Sequence, residues 1–343
     1  MTQMKIFEGK RVLITGHTGA KGSWLALWLY RLGAKVYGIS HAPREGENHY
    51  KLLKLNKILI KDVHADLSLV EEINSINPDI VFHLAARAIV ARTFTEPEAT
   101  FFHNIMGMAH LLDLCRMCPS VKGVVAIVSD KVYENKEWNY AYRENDELGG
   151  DDPYSVSKVC VEHIIRCYRK SYSMNIAAAR AGNILAGGDY GEKRLLPDIV
   201  RATIKGEKVI VHTPNATRPF QHVLEALYGY LLLGKNILEG KDVSRAWNFG
   251  PQGEMTVLEV LQTAKNVWPK IEWEVDDAPT HPFMQYLLKI DSTESMKILG
   301  WKPQWSMRQA VEQSIRWYMR FHENGTILTD TDIEDYTHEL SIL

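Results

Sequence analysis

The chain has 343 residues, 45% of them apolar and 24% charged, which is the ordinary globular range and excludes a disordered, collagen-like or fibrous protein. A formal net charge of −2 with no lysine or arginine block excludes an electrostatic surface for nucleic acid, so any anionic ligand must be held locally. The length predicts one dominant domain with a smaller companion at its side.

At the amino end, Met1 to Lys10 carries no long apolar run behind basic residues, and no later segment stays apolar long enough to cross a bilayer. A cytoplasmic protein without membrane contact is expected. Arg11–Thr15 reads as a buried strand that runs into Gly16-His-Thr-Gly19-Ala-Lys-Gly22 and then a helix over Ser23–Leu32. Glycine at these places permits a tight turn and close backbone approach, and a helix amino end favours an anion. The turn is therefore read as the cradle of a dinucleotide pyrophosphate. The next strand, Lys35–Ile39, ends at Ser40, where an acid would normally grip a ribose hydroxyl. Ser40 suits that hydroxyl weakly, whereas Arg44 could face a 2′-phosphate, so these residues leave NAD and NADP both open. Asp66, closing the Val63–Asp66 run, is read against the adenine edge.

Ile80–Leu84, Gly123–Val128 and Asn175–Arg180 follow as buried strands, with helices expected over Ala99–Met117 and Ser155–Tyr172. This alternation predicts an α/β fold, a Rossmann-like doubly wound parallel sheet. Ser129, Asp130 and Lys131 stand at the carboxyl end of the Gly123–Val128 strand, where open α/β sheets bind ligands. A hydroxyl, a carboxyl and an amine at one strand end can supply a hydrogen bond, a general acid and a general base. Tyr154 and Lys158 are four apart and share a helix face. A cation beside the phenol lowers its pKa from near 10, so this pair is read as the oxidising centre for a hydroxyl.

Beyond about residue 185 glycines and prolines punctuate shorter elements, which predicts a smaller, interleaved carboxyl-terminal α/β substrate domain. The expected division is 1–185 for the cofactor domain with 223–252 returning to it, 186–222 and 253–320 for the substrate domain, and 321–343 as an acidic tail. After Arg320 there is no lysine or arginine, so that tail is expected to be solvated. Four cysteines fit a reducing compartment. Cys115 and Cys118 form a CxxC without a second pair, and no metal site is expected. Asn215-Ala-Thr217 is taken as a chance glycosylation match.

Taken together, these motifs place the chain as similar to an extended short-chain dehydrogenase/reductase of the nucleotide-sugar 4,6-dehydratase type, in its CDP-glucose branch. The resemblance covers the chain to about Tyr318. It rests on the glycine turn to Trp24, on His83-Leu-Ala-Ala86, on Ser129-Asp-Lys-Val-Tyr-Glu-Asn135 and on Leu148-Gly-Gly-Asp-Asp-Pro-Tyr-Ser-Val-Ser-Lys158. Ala179-Arg-Ala-Gly-Asn183, Ala216-Thr-Arg-Pro-Phe-Gln-His-Val223 and Ala246-Trp-Asn-Phe-Gly-Pro251 complete it.

The resemblance implies NAD as cofactor and a nucleotide-diphosphate sugar as substrate, with water lost from C5 and C6. It implies catalytic roles for Ser129, Asp130, Lys131, Tyr154 and Lys158, and substrate contacts from Asn183, Arg194, Arg218 and His222. Around the cofactor it implies Gly16, Thr18, Gly19, Gly22, Ser40, Arg44, Asp66, Leu67, Leu84, Ala85, Ala86 and Arg180, together with Tyr154 and Lys158. It also implies a homodimer or homotetramer in which the 99–117 and 155–172 helices pair. Arg87, Phe94, His103 and Tyr190 depart from the family's glutamine, tyrosine, threonine and tryptophan, which leaves GDP-, UDP- and dTDP-linked sugars as alternatives to CDP-glucose. A 4-epimerase is the competing enzyme, though it has little use for Asp130 and Lys131. An NAD-sensing regulator would be expected to have lost Tyr154 or Lys158.

Overall fold

The computed structural model describes residues 2–43, 45–65, 72–276 and 287–342. Short runs, mostly aliphatic except for the Lys-Asp-Val-His of β3, form β1 (Arg11–Thr15), β2 (Lys35–Ser40), β3 (Lys61–His64), β4 (Ile80–His83), β5 (Val124–Ile127) and β6 (Ile176–Ala181). Shorter pieces follow: β7 (Ile184–Leu185), β8 (Val209–Val211), β9 (Thr217–Arg218), β10 (Gln221–His222), β11 (Ala246–Phe249), β12 (Met255–Thr256) and β13 (Trp273–Val275). The helices are α1 (Ala20–Arg31), α2 (His49–Leu52), α3 (Ile73–Ile76), α4 (Val90–Thr93), α5 (Pro97–Phe101) and α6 (Gly107–Met117). They continue as α7 (Pro153–Tyr172), α8 (Leu195–Lys205), α9 (Val223–Leu238), α10 (Val257–Val267), α11 (Met307–Asn324) and α12 (Thr329–Ile342).

Seven strands form one parallel sheet in the order β11-β6-β5-β4-β1-β2-β3. The chain runs outward from β1 through β2 to β3 and then restarts at β4 on the other side of β1. The order therefore reverses between β1 and β4, and their carboxyl ends open the crevice in which doubly wound sheets bind ligands. Both faces of the sheet are covered, which is why its strands are almost wholly apolar. Trp24, Phe82, Tyr230, Trp247, Phe249 and Trp301 pack on one face, and Leu13, Val81, Leu111, Val161 and Ile165 on the other. The small pieces pair as β7 with β10, β12 with β9, and β13 with β8, beside the crevice.

Two elements differ from the sequence reading. The helix expected over Ala99–Met117 is interrupted by a wide, π-helical turn at Phe102–Met106, a local form common at functional sites. Asn104 in that turn accepts from the Arg87 amide (2.7 Å) and donates to Ser157 Oγ on α7 (2.9 Å), so the turn ties the loop after β4 to α7. The second difference is a correction: the expected solvated tail contains α12. Ile333 and Tyr336 are buried on one side of it, and buried Asp332 accepts from Arg316 (2.8 Å). Its acidic face pairs Asp330 and Glu334 with Arg31 of α1. Asp330 and Glu334 remain exposed on the outer side of α12, while Asp332 is buried against Arg316.

Candidate active site

The glycine turn is built by close contact. Gly16 has φ +78°, and a Cβ there would lie 2.7 Å from the Ala85 amide nitrogen; a Cβ on Gly22 would lie 2.2 Å from the Gly16 carbonyl oxygen. The turn thus presses onto the Leu84–Ala86 segment after β4, whose Ala85 amide donates to Thr15 Oγ1 (3.3 Å). Gly19 caps α1 without any side-chain hydrogen bond, which leaves the first amides of the helix available to an anion. Thr18 Oγ1 shares a hydrogen bond with Ser40 Oγ (2.8 Å) and donates to the His41 carbonyl (3.1 Å), fixing the end of β2 against the turn. This cradle fits a dinucleotide pyrophosphate. Arg44, Asp66 and Leu67 lie outside the described residues.

Across the crevice, β5 ends and the chain turns tightly. Ser129 caps the short helical turn Asp130–Val132 by accepting from the Lys131 amide (3.2 Å), and its hydroxyl donates to Asp130 Oδ1 (3.1 Å). Asp130 Oδ2 is buried and makes no hydrogen bond. Burial holds the Asp130 carboxyl above its ordinary pKa, against the pull of Lys131, Ser129, Arg218 and Lys21. Lys131 Nζ lies 3.8 Å from Asp152. Asp152 caps α7 by accepting from the Tyr154 and Ser155 amides, which sets the helix so that Tyr154 and Lys158 point into the crevice from its first two turns.

Lys158 Nζ donates to the Ile127 carbonyl (3.0 Å) and lies 6.0 Å from the centre of the Tyr154 ring. Burial lowers the Lys158 pKa to about 8, helped by the charge of Lys21. Tyr154 moves the other way: burial pushes its phenol up to about 12, opposed by the Ser129 hydroxyl. This corrects the expectation that Lys158 lowers the phenol. The ammonium is hydrogen-bonded to the Ile127 carbonyl, and desolvation of the phenolate is the largest influence on Tyr154.

The expected substrate residues separate into two groups. Arg194 stands at the head of α8, ion-paired with Asp189 (2.6 Å), and its charge acts on Tyr154. Arg218 on β9 acts on Asp130. These two guanidinium groups face the same crevice as the catalytic pair. Asn183 follows β6, its carbonyl accepting from Gln221 (2.9 Å).

His222 and Arg180 are not brought there. His222 is fully buried between Trp24 and Trp305, with ring centres 5.6 and 4.8 Å away, and burial lowers its pKa to about 3. Arg180 points to the opposite side of β6, where it is ion-paired with Glu162 (2.7 Å) and donates to Tyr133 Oη (2.8 Å). Both are core groups, and the motifs in which they stand gave no sign of which face of a strand they occupy.

Three residues at the site escaped the sequence reading. Lys21, inside the glycine turn, reaches to Tyr230 Oη (3.5 Å), and burial lowers its pKa to about 8. Asn104 carries the wide turn described above. Tyr318 on α11 bonds the Ala186 and Asp189 carbonyls (3.0 and 2.6 Å), pinning the loop that leads to Arg194. Of these, Lys21 alone had a local signal, a cation where a phosphate turn is otherwise small and apolar.

The sequence family described as GDP-mannose 4,6 dehydratase matches residues 13–314. The CDP-glucose 4,6-dehydratase of Salmonella typhimurium is 36% identical, the match covering 98% of each chain. The dTDP-D-glucose 4,6-dehydratase of Dictyostelium discoideum is 24% identical over 90% of this chain and 81% of that one. Among solved structures, UDP-glucose 4-epimerase from Thermotoga maritima with UDP-glucose has a TM-score of 0.80 at 21% identity, covering 91% of this chain and 99% of that one. The dTDP-glucose 4,6-dehydratase from Streptomyces venezuelae with NAD and TYD bound has a TM-score of 0.76 at 21% identity, covering 91% and 97%.

Proposed function

We propose, from the premise that this chain belongs to the GDP-mannose 4,6 dehydratase family, that it is an NAD-dependent nucleotide-sugar 4,6-dehydratase and that its substrate is CDP-glucose. The observation that carries the reaction is the Ser129-Asp130-Lys131 turn beside Tyr154, with a buried carboxyl whose second oxygen has no partner. A 4-epimerase needs only the oxidising pair. CDP-glucose is favoured by the 36% identical relative, whose match is end to end.

The glycine turn at Gly16–Gly22 would hold NAD, with Lys158 at the far side of the crevice; when bound, the cofactor would supply the hydride acceptor and donor that the reaction needs. Tyr154 would act as the phenolate, made a strong base by the burial that raises its pKa to about 12, and would accept the C4 hydroxyl proton with Ser129 as its hydrogen-bonding partner. The resulting ketone makes the C5 proton acidic. Lys131 removes that proton and returns one to C5 when hydride reaches C6, and Asp130, whose proton affinity burial raises, delivers a proton to the departing C6 hydroxyl. Arg194 and Arg218 hold the diphosphate.

Two copies are expected to associate through α5 to α7, where Phe102, Met106 and Tyr172 stand exposed. Among the described residues no helix is long and apolar enough to cross a membrane, and we place the enzyme in the cytoplasm. The deciding experiment incubates the purified protein with NAD and CDP-, GDP-, UDP- and dTDP-glucose. Loss of one water from CDP-glucose, with one solvent deuterium at C5 in heavy water, is the expected result. Inversion at C4 without loss of mass would make it an epimerase.

A further inference from the structure

Beside the cofactor cradle, and apart from the catalytic residues, three imidazole and carboxylate groups converge. His17 comes from the glycine turn, and Asp62 and His64 come from alternate positions of β3, which places their side chains on the same face of the strand. His17 Nε2 lies 2.7 Å and His64 Nε2 3.1 Å from the same oxygen, Asp62 Oδ1. All three ligand atoms lie within 4.8 Å of one another. The imidazole rings are nearly parallel, 13° apart, with Tyr50 edge-on to both and its hydroxyl bonded to the other Asp62 oxygen. Gly38 on β2 makes room: a Cβ there would lie 2.5 Å from His17 Nδ1.

Hydrogen bonding alone accounts poorly for this arrangement. Two imidazoles direct the same nitrogen, Nε2, at a single carboxylate oxygen. His17 is fully buried, and its remaining nitrogen, Nδ1, faces the Ile39 backbone without a well-formed hydrogen bond. If neutral His17 gives its Nε2 proton to Asp62, Nδ1 is left as a buried acceptor. Coordination through Nε2 would move the proton to Nδ1, beside the Ile39 backbone, whose carbonyl accepts from Gly16 and has a second lone pair.

We propose that His17, Asp62 and His64 form a binding site for one divalent transition metal ion of the zinc class. Two imidazoles and a carboxylate suit zinc, cobalt, nickel or ferrous iron, with solvent completing the shell. Ligands at about 2.0–2.2 Å in a tetrahedron stand about 3.3 Å apart, so the three donors need only small movements. His64, with 36% of its side chain exposed, is on the route by which an ion would enter. Bound there, the metal would tie the glycine turn to β3 and brace the cofactor cradle without touching the reacting atoms. The sequence gave no metal spacing because His17 stands far in the chain from Asp62 and His64.

The test uses untagged, chelator-treated full-length protein titrated with zinc by calorimetry and with cobalt by visible absorption. One ion per chain is expected, with cobalt acquiring intense visible bands of low coordination. His64→Ala and Asp62→Asn should each weaken binding by at least about 10- to 100-fold, the loss that even outer-shell changes cause. A Cys115→Ser, Cys118→Ser variant should bind as the parent does. Absence of binding, binding that is unchanged in both the His64 and Asp62 variants, or binding lost with the cysteines overturns the proposal. If the Asp62 variant fails to fold, His64→Ala, at the exposed member, decides alone.

Discussion

Glu225 on α9 offers a prediction whose size follows from its surroundings. Its carboxylate is fully buried and accepts from the Gln304 and Trp305 amides (3.0 and 2.7 Å) and from Tyr336 Oη of α12 (2.8 Å). Burial nevertheless prevails over these donors and raises its pKa from 4.5 to about 7. The folded protein therefore keeps a proton that the unfolded chain has lost between those values. Stability carried by this group is full below pH 4.5, falls as pH rises through that window, and is flat above about pH 7. The shift corresponds to about 3 kcal/mol. Glu225→Gln removes the titration while keeping an acceptor for the three donors. Urea unfolding followed by tryptophan fluorescence, at several pH values, should show the parent losing about 3 kcal/mol relative to the variant between acid and slightly alkaline conditions. Parallel stability curves for the two proteins would mean that the hydrogen bonds fully offset burial and would refute the reasoning.

Asp130→Asn, which keeps a group that can accept from Ser129, should slow loss of water by about 10²–10⁴-fold, the usual worth of a general acid. Reduced cofactor should still form when CDP-glucose is added, seen by its near-ultraviolet absorbance. Because the parent needs Asp130 protonated, its activity should fall as pH rises through the raised pKa, and that limb should be absent from the variant's residual rate. Tyr318→Phe leaves the Ala186 and Asp189 carbonyls without their shared donor. At about 1–3 kcal/mol for an unsatisfied buried group, it should loosen the loop carrying Arg194 and raise KM by roughly tenfold, with kcat changed less in steady-state kinetics.

Most of the sheet was legible because its central strands are short apolar runs closed by a glycine or polar turn, whereas the polar edge strand Lys61–His64 has no such run, and the crevice was legible because Gly16, Ser129 and Tyr154 stand at strand or helix ends. What could not be read was direction across an element. Arg180 sits in a fully buried strand, where an apolar run has no alternation to tell one face from the other, and so an arginine of the core could pass for one at the cofactor. His222 belongs to a two-residue strand flanked by tryptophans that come from far along the chain. The acidic tail did contain a signal. Ile333, Tyr336 and Leu340 recur at helical spacing on one side, and the charge count obscured them. The Tyr154 shift was misread because four-residue spacing reports the nearby cation but not the desolvation that overrides it.

That override is also what fits the remaining groups for elimination. Burial disfavours charge of either sign, so one physical cause raises Asp130 and lowers Lys158 and Lys21 to about 8. An acid and two cations whose ordinary pKa values are far apart are brought toward one another by the same dry pocket. Lys131 is the more exposed member of the pair that follows Ser129, with 28% of its side chain accessible. Asp130 lies deeper, with its second oxygen unpartnered. This difference in depth is consistent with the proposed roles, in which the deeper carboxyl serves the leaving hydroxyl and the amine serves C5.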